Sequence, residues 1–354
     1  MKTTTDELPG QRGEAAIDKH PGAMRRVLDW LGHHKGLVRL IVLALIVAFV
    51  ALFIKKIFGY VPAGYRWQFN IPLLALGFVL LVSQEVSFAF IWRAILARLG
   101  SQLDIRSAQQ IYLGSEFVRY IPGNVWHVFT RILWAERRGV PRVTGLASMT
   151  LELATKITSA ALVFAASLLF WTDLHGLASS LPSGLPLVLG LLGVPVLLIG
   201  LHPRLLTATL NAGLRLLKKP PVAFTLRYRD VLLITLCWAA SWVVAGAGFY
   251  FVVLALAPAP LSIVAFVIAT GIYAIGWDIG FVSFITPSGL GFREAAVALL
   301  LGLAGLAPGL AVPLVIALVA RLLSTGAELV CVSGAHLLPG GKPPALAVPD
   351  APDS

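Results

Sequence analysis

The chain has 354 residues, of which 58% are hydrophobic and only 13% charged, and this excludes an ordinary soluble domain, where about 25% are charged. A net charge of +11 is compatible with nucleic-acid binding, but basic loops beside apolar spans ordinarily reflect membrane topology and anionic lipid headgroups. We therefore expect no nucleic-acid partner. Cys237 and Cys331 lie inside apolar runs, without CxxC spacing or clustered histidines, so we expect neither a metal site nor a cofactor.

Several apolar stretches exceed the roughly 18 residues that a helix needs to cross a bilayer. The predicted fold is all-α: a polytopic transmembrane helix bundle of about seven or eight spans, with one or two broken or re-entrant helices. A disordered cytoplasmic tail (1–36) and a disordered C-terminal tail (339–354) flank a transmembrane domain at 37–338, and no signal peptide is expected. The predicted spans are 37–54, 71–96, 145–171, 185–201, 231–257, 261–285 and 311–338, with a broken element at 286–306.

Lys and Arg residues are distributed unevenly between the segments that flank the spans. The N-terminal tail and the two long connections, 97–142 and 202–229, carry nineteen, whereas the three short connections carry three. This excess predicts that the N-terminus and both long connections are cytoplasmic. Residues 294–306 reach about 20 Å as a helix, against a core of about 30 Å, so two interpretations stay open. If this segment crosses, there are eight spans and the C-terminus is cytoplasmic. If it is re-entrant, there are seven spans and the C-terminus lies on the opposite side of the membrane.

Both long connections contain amphipathic stretches, which we interpret as helices lying in the membrane interface. In 107–120 one face is largely apolar, and Gln110 and Glu116 lie away from it. Segment 203–219 has leucines at helical spacing and a cationic end.

The chain also shows a weak internal duplication. "YIPGNVWHVFTR" (120–131) and "ITPSGLGFREAA" (285–296) each place a break, Pro122–Gly123 or Pro287, at a membrane edge before a short apolar segment with one arginine. A second proline, Pro141 or Pro308, follows each break and precedes a long span with embedded charge. Broken helices at matching positions of a repeat mark the substrate site in many transporters.

Two motifs carry a family resemblance. "RYIPGNVWHVFTRILWAERRGVPR" (119–142) and "TPSGLGFREAAVALLLG" (286–302) resemble the membrane domain of the lysylphosphatidylglycerol synthase family, the flippase-like domain of the multiple peptide resistance factor in its stand-alone form. The resemblance covers roughly residues 35–338. The matching positions are Pro122, Gly123, Trp126, Arg131 and Gly139 in the first motif, and Gly289, Gly291, Arg293 and Glu294 in the second.

The resemblance implies movement of a phospholipid or polyprenyl-phosphate-linked headgroup between the leaflets of a bacterial cytoplasmic (inner) membrane. The aminoacyl-transferase domain of full-length synthases is absent from this sequence, so we expect no enzyme activity from it. Two other classes stay open: a non-catalytic membrane partner of a glycosyltransferase or lipid-modifying enzyme, and a membrane-bound lipid transferase. The transferase is disfavoured because no nucleotide motif or catalytic set is present.

Charged residues inside the spans are expected to line a polar pathway, because each costs about 2.5–3.5 kcal/mol at the bilayer centre. Other interpretations stay open: Glu152 and Lys156 form a structural ion pair at i and i+4, and Asp278 caps its own helix. The residues of the predicted pathway are Glu85, Glu152, Lys156, Asp278, Glu294, Arg321 and Glu328.

The break at 287–293 has the features of a phosphate site. Pro287 presets a helical first turn, Gly289 and Gly291 allow close backbone approach, and Arg293 adds charge to the amides of a helix start. Arg131, after the first break, is predicted to be the matching cation in the other half. We expect Glu294 to hold Arg293 when no lipid is bound, or the pair to satisfy stray carbonyl groups. The tryptophans Trp126, Trp171, Trp238 and Trp242 are assigned to packing or the interface.

Overall fold

The computed structural model describes residues 69–116, 126–171, 185–216, 226–283, 289–309 and 311–337, and all regular structure in these residues is helical. The predicted tails, the first predicted span and the residues Pro122, Gly123 and Pro287 lie outside this described part. The helices, in chain order, are α1 (Ile71–Arg98), α2 (Ile105–Glu116), α3 (Trp126–Glu136), α4 (Arg142–Leu168), α5 (Leu185–Gly200), α6 (Pro203–Leu216), α7 (Tyr228–Leu256), α8 (Ile263–Val282), α9 (Phe292–Leu303) and α10 (Ala311–Leu337).

Five of the described helices, α1, α4, α7, α8 and α10, are long and apolar enough to cross a membrane. The predicted span at 185–201 coincides with α5, and whether it crosses the membrane stays a prediction. α5 has 16 residues, about 24 Å, and it is followed by α6 at a bend of 63°, so only the bent pair together counts as a sixth candidate span. α9 has 12 residues, about 18 Å, and is too short to cross alone. The total of seven or eight spans stays a prediction.

Local side-chain caps start several of these helices. Asn70 accepts a hydrogen bond from the Leu73 N–H at the start of α1, and Ser262 accepts one from the Ala265 N–H at the start of α8. Before α2, Asp104 accepts a bond of 2.9 Å from the Ser107 N–H. Hydrogen bonds from the hydroxyl and the amide of Ser107 hold the pKa of Asp104 below its ordinary value. Such caps satisfy amides that have no partner inside the helix.

α7 lies at the centre of the bundle and packs against α1, α4 and α8. Its crossing with α1 is close because Gly77 and Gly248 face each other, and a Cβ atom on Gly77 would lie 2.8 Å from the Gly248 carbonyl oxygen. Small residues allow this approach between apolar helices. Two buried tryptophans of α7, Trp238 and Trp242, fill the adjoining core, which agrees with their predicted packing role.

The predicted duplication is visible as a repeated unit of one short and one long helix. α3 (11 residues) precedes α4 (27 residues), and α9 (12 residues) precedes α10 (27 residues). Both short helices end in the same motif, in which a glycine of positive φ, Gly139 or Gly305, is followed by a residue whose N–H bonds five residues back. This is the Schellman arrangement, which favours glycine because of its left-handed conformation.

The two short helices also match residue by residue. Trp126 and Phe292 each begin their helix thirteen residues before the closing glycine, and they are 49% and 47% exposed. The next residues, His127 and Arg293, are both 8% exposed. This alignment places Arg131 opposite Val297 rather than opposite Arg293.

The amphipathic predictions for the two connections have different outcomes. α6 is amphipathic as predicted, since Leu210 and Leu214 pack against Ala147 of α4 while Arg204 and Arg215 are exposed. α2 is not an interfacial helix, because every residue from Ser107 to Glu116 is buried. The polar residues of α2 find partners inside the protein, which hydropathy alone does not reveal.

Candidate functional site

The second break packs directly against α8. Gly289 and Gly291 have φ values of 70° and 90°, a region that side chains disfavour. A Cβ atom on Gly289 would lie 2.3 Å from the carbonyl oxygen of Gly280, so the turn before α9 touches the backbone of α8. On the next turn, the Arg293 side chain packs against Gly280, where an added Cβ would lie 2.9 Å from that of Arg293. These close contacts at glycine fix the position of the Arg293 side chain against α8.

Glu294 closes the start of α9. Its Oε2 atom accepts a hydrogen bond of 2.6 Å from the Gly291 N–H, as in a capping box. Its Oε1 atom lies 3.6 Å from Nε of Arg321 on α10. The predicted partner of Glu294 was Arg293. In the structure its partners are instead the Gly291 amide and Arg321.

Arg293 has no carboxylate partner among the described residues. Its guanidinium carbon lies 4.9 Å from the centroid of the Tyr273 ring, within the range of a cation–π contact. Arg293 is nevertheless buried. A buried cation that has no described carboxylate within ion-pair distance is suited to receive an anion, because burial without a full counter-charge is costly.

Arg293 and Arg321 face a small hollow between α1, α8, α9 and α10. Its cavity volume is about 40 Å³, which is room for a few water molecules. The charged residues of its lining are two cations and two acids, Arg293, Arg321, Glu85 and Glu328. The sequence predicted Arg321, Glu85 and Glu328 as residues of the polar pathway, and Arg293 as a phosphate-binding residue. Tyr273, Trp277 and Phe281 complete one wall.

A second polar cluster surrounds Arg131 and lies apart from that lining. Nε of Arg131 donates to Ser115 Oγ at 2.9 Å, NH1 donates to Glu152 Oε2 at 2.8 Å, and NH2 bonds to Glu116. Tyr112 donates to Glu152 Oε1 at 2.7 Å, and its ring lies 3.7 Å from the Arg131 guanidinium carbon. All three nitrogens of this buried guanidinium are therefore bound by the protein. This corrects the predicted pairing of Arg131 with Arg293, because Arg131 has carboxylates where a phosphate was expected.

Lys156 does not pair with Glu152, as one interpretation of the sequence had it. Its ammonium nitrogen lies 3.7 Å from the centroid of the Phe88 ring, 4.5 Å from that of Trp277 and 4.9 Å from that of Trp238. Asp278 is close enough to interact electrostatically with it. Oδ1 of Asp278 is buried and accepts no hydrogen bond within the described part of the chain. Asp278 therefore lies near the ammonium group of Lys156 on another helix, and its Oδ1 atom caps no helix among the described residues.

The structure thus divides the predicted site residues into two groups. Glu85, Arg293, Arg321 and Glu328 share the hollow, with Glu294 beside it, whereas Glu152 lies with Arg131 in the second cluster. Lys156 and Asp278 lie between, because Phe88 and Trp277 contact Lys156 and also line the hollow.

Sequence reasoning missed the aromatic residues of both groups. Tyr273, Trp277 and Phe281 recur every four residues on α8, which is the spacing of one helical face. That stripe was a usable signal, but in an apolar helix it is also the pattern of ordinary packing. Tyr112 and Glu116 have the same spacing on α2, where both now contact Arg131.

A protein family described as the lysylphosphatidylglycerol synthase TM region matches residues 36–329. The chain belongs to this family. The resemblance carried by the two Pro–Gly motifs is therefore confirmed, and the chain is a multi-pass membrane domain related to lipid handling. No curated protein and no solved structure matches the chain.

Proposed function

We propose that the protein moves a lipid with a phosphate-containing headgroup, either a phospholipid or a polyprenyl-phosphate-linked lipid, between the two leaflets. One observation carries the proposal: Arg293 lies in the first turn of α9, inside an apolar bundle, facing a polar hollow and without a described carboxylate partner. Cations and amides at a helix start are what a phosphate requires, and the helix dipole adds to their attraction.

In this proposal the phosphate binds between Arg293 and Arg321. The Glu294 carboxylate accepts a hydrogen bond from the Gly291 amide and lies 3.6 Å from Arg321, so a phosphate that binds these groups competes with it. Arg131 is left out of the phosphate site, because Ser115, Glu116 and Glu152 already bind its guanidinium. The cluster around Arg131 holds α2, α3 and α4 together instead.

The acyl chains have an apolar surface beside the hollow. Phe292 follows the N-cap of α9 and Leu322 follows Arg321, and both side chains are exposed at the bundle surface. A lipid could therefore keep its tails in hydrocarbon while its headgroup enters sideways. A cavity volume of about 40 Å³ does not hold a whole headgroup, so transit requires the hollow to widen.

The setting proposed is a bacterial inner membrane, as the family resemblance implies. The N-terminus is proposed to be cytoplasmic, as the distribution of Lys and Arg predicts. Anionic lipids are the preferred partners, because both residues offered to the headgroup phosphate are arginines. We propose transport without chemical conversion of the lipid.

The test is transbilayer movement of labelled phosphatidylglycerol in vesicles that contain the purified full chain. The wild type should accelerate movement over protein-free vesicles. Arg293→Ala should lower the initial rate at least about tenfold, which is the scale of one charge-assisted hydrogen bond. Arg142→Ala is the matched control, because Arg142 is an exposed arginine paired with Glu136. If Arg293→Ala moves lipid at the wild-type rate, the proposed phosphate site is wrong. If vesicles with the wild-type protein move lipid no faster than protein-free vesicles, the proposed transport is wrong. Mass spectrometry of the recovered lipids would reveal any conversion.

A further inference from the structure

Lys156 is the one lysine within the described part of the chain, and it lies where a lysine is costly. It occupies the middle of α4, a candidate membrane span, and is only 4% exposed. Its ammonium group has three aromatic rings within 5 Å, from three different helices: Phe88 on α1, Trp238 on α7 and Trp277 on α8. Because the rings come from three separate helices, only the packed bundle brings them together around the ammonium group.

Such a cage is a recognition site for an alkylammonium ion. Ring faces attract a cation within about 6 Å, most strongly when water is excluded, and several rings around one ammonium are the usual way to bind such groups. The carboxyl group of Asp278 lies close enough to Lys156 to interact with it electrostatically. The side chain of Lys156 thus resembles a bound ligand that is attached to the protein.

The cage also adjoins the candidate lipid site. Phe88 and Trp277 contribute to the cage and to the wall of the hollow that Arg293 and Arg321 face. An ammonium group on a lipid headgroup in the hollow would find these rings already engaged by Lys156.

We propose that Phe88, Trp238 and Trp277 form an ammonium-binding site that Lys156 occupies permanently from within the chain. Where the proposed lipid transport holds, a consequence follows for the substrate: lipids whose headgroup has a phosphate but no ammonium are favoured. The binding site itself is independent of transport.

Removal of the lysine side chain should open the cage to a free amine. Lys156→Ala removes a propylammonium unit beyond Cβ, so n-propylammonium chloride is the probe, and 1-propanol is the neutral probe of the same length. We expect the purified variant to bind the amine on the order of tenfold more tightly than the alcohol. Binding should raise its thermal unfolding midpoint and change its tryptophan fluorescence, because Trp238 and Trp277 line the cage.

Three controls make the result decisive. Wild type and Lys156→Arg keep a cation in the cage and should not respond to the amine, whereas Lys156→Met fills the space and should respond weakly. If Lys156→Ala is recovered folded only when the amine is present during purification, and not with propanol, the proposal is also supported. Equal effects of amine and alcohol, or an equal response of the wild type, overturn it.

The substrate consequence is tested separately with vesicles. Wild type should move phosphatidylglycerol faster than phosphatidylethanolamine, which has an ammonium group, and Lys156→Ala should reduce that ratio about tenfold. An unchanged ratio, together with amine binding by the variant, overturns the selectivity but not the cage. If the wild type moves neither lipid, the proposed transport fails while the amine result still decides the cage.

Discussion

The two halves of the domain use the same helical unit with opposite charge. In the first half, Arg131 on short helix α3 pairs with Glu152 on long helix α4. In the second half, Glu294 on short helix α9 approaches Arg321 on long helix α10. Glu152 and Arg321 each lie ten residues after their helix begins, at Arg142 and Ala311. The charge on the long helix is thus reversed between equivalent positions, whereas Arg131 and Glu294 occupy different positions on the short helices.

The two pairs also differ in the distance between their charged groups. The Arg131–Glu152 contact is 2.8 Å, and every guanidinium nitrogen of Arg131 has a partner. The Glu294–Arg321 contact is 3.6 Å, beside a hollow and next to Arg293. A saturated buried network gives rigidity, whereas a loose pair can exchange partners. The first half is therefore built as a support, and the second half has the looser contact, which can exchange partners.

The largest effect should come from breaking the saturated pair. Arg131→Met leaves Glu116 and Glu152 buried without their cation, and we expect a loss of about 3–5 kcal/mol in the free energy of unfolding. Unfolding of the purified protein in mixed micelles measures this. Arg321→Met should cost less, because its pair is looser, and Arg142→Met, which breaks an exposed pair with Glu136, should cost below about 1 kcal/mol. Equal costs for the variants at 131 and 321 would show that the two halves are not different in this respect.

Glycines at the ends of the two short helices give a second comparison. Gly139 and Gly289 both have positive φ, but a Cβ atom on Gly139 would meet nothing within 4 Å, whereas one on Gly289 would lie 2.3 Å from the Gly280 oxygen. Gly139→Ala should cost about 1–2 kcal/mol from backbone strain. Gly289→Ala should cost at least about 1 kcal/mol more, because α8 has to shift. The same unfolding assay measures both, and equal costs would argue that the break does not press on α8.

The sequence was sufficient for the limits of the five long helices but not for the pairing of charges. The five long helices end within a few residues of the predicted limits, as in α10 at 311–337 against 311–338, because hydropathy reports directly how long a span must be. Glu152 was given Lys156 as its local partner at i+4. Such a pair is worth only about 0.2–0.5 kcal/mol, less than the several charge-assisted bonds that Arg131 makes across the fold.

The correspondence of the two arginines failed for a related reason. The sequence paired Arg131 with Arg293 because each follows a Pro–Gly break, yet Arg131 lies nine residues after Pro122 and Arg293 six after Pro287. The helix ends show that His127 is the true counterpart of Arg293. Those ends depend on Gly291 as N-cap and on the closing glycines, whose positive φ appears only in the folded chain.

Glu294 gives the finest test, because it separates a structural cap from a competitor of phosphate. Glu294→Gln keeps an acceptor for the Gly291 N–H, so helix α9 should begin at the same residue and stability should change little. The substitution removes the negative charge beside Arg321, so inorganic phosphate should bind on the order of tenfold more tightly. Isothermal titration of the purified protein with phosphate measures this, and Arg293→Ala in the same background should abolish the gain. A weaker affinity in Glu294→Gln would mean that the carboxylate positions Arg321 for the anion rather than competing with it, and the exchange assigned to the second half would be wrong.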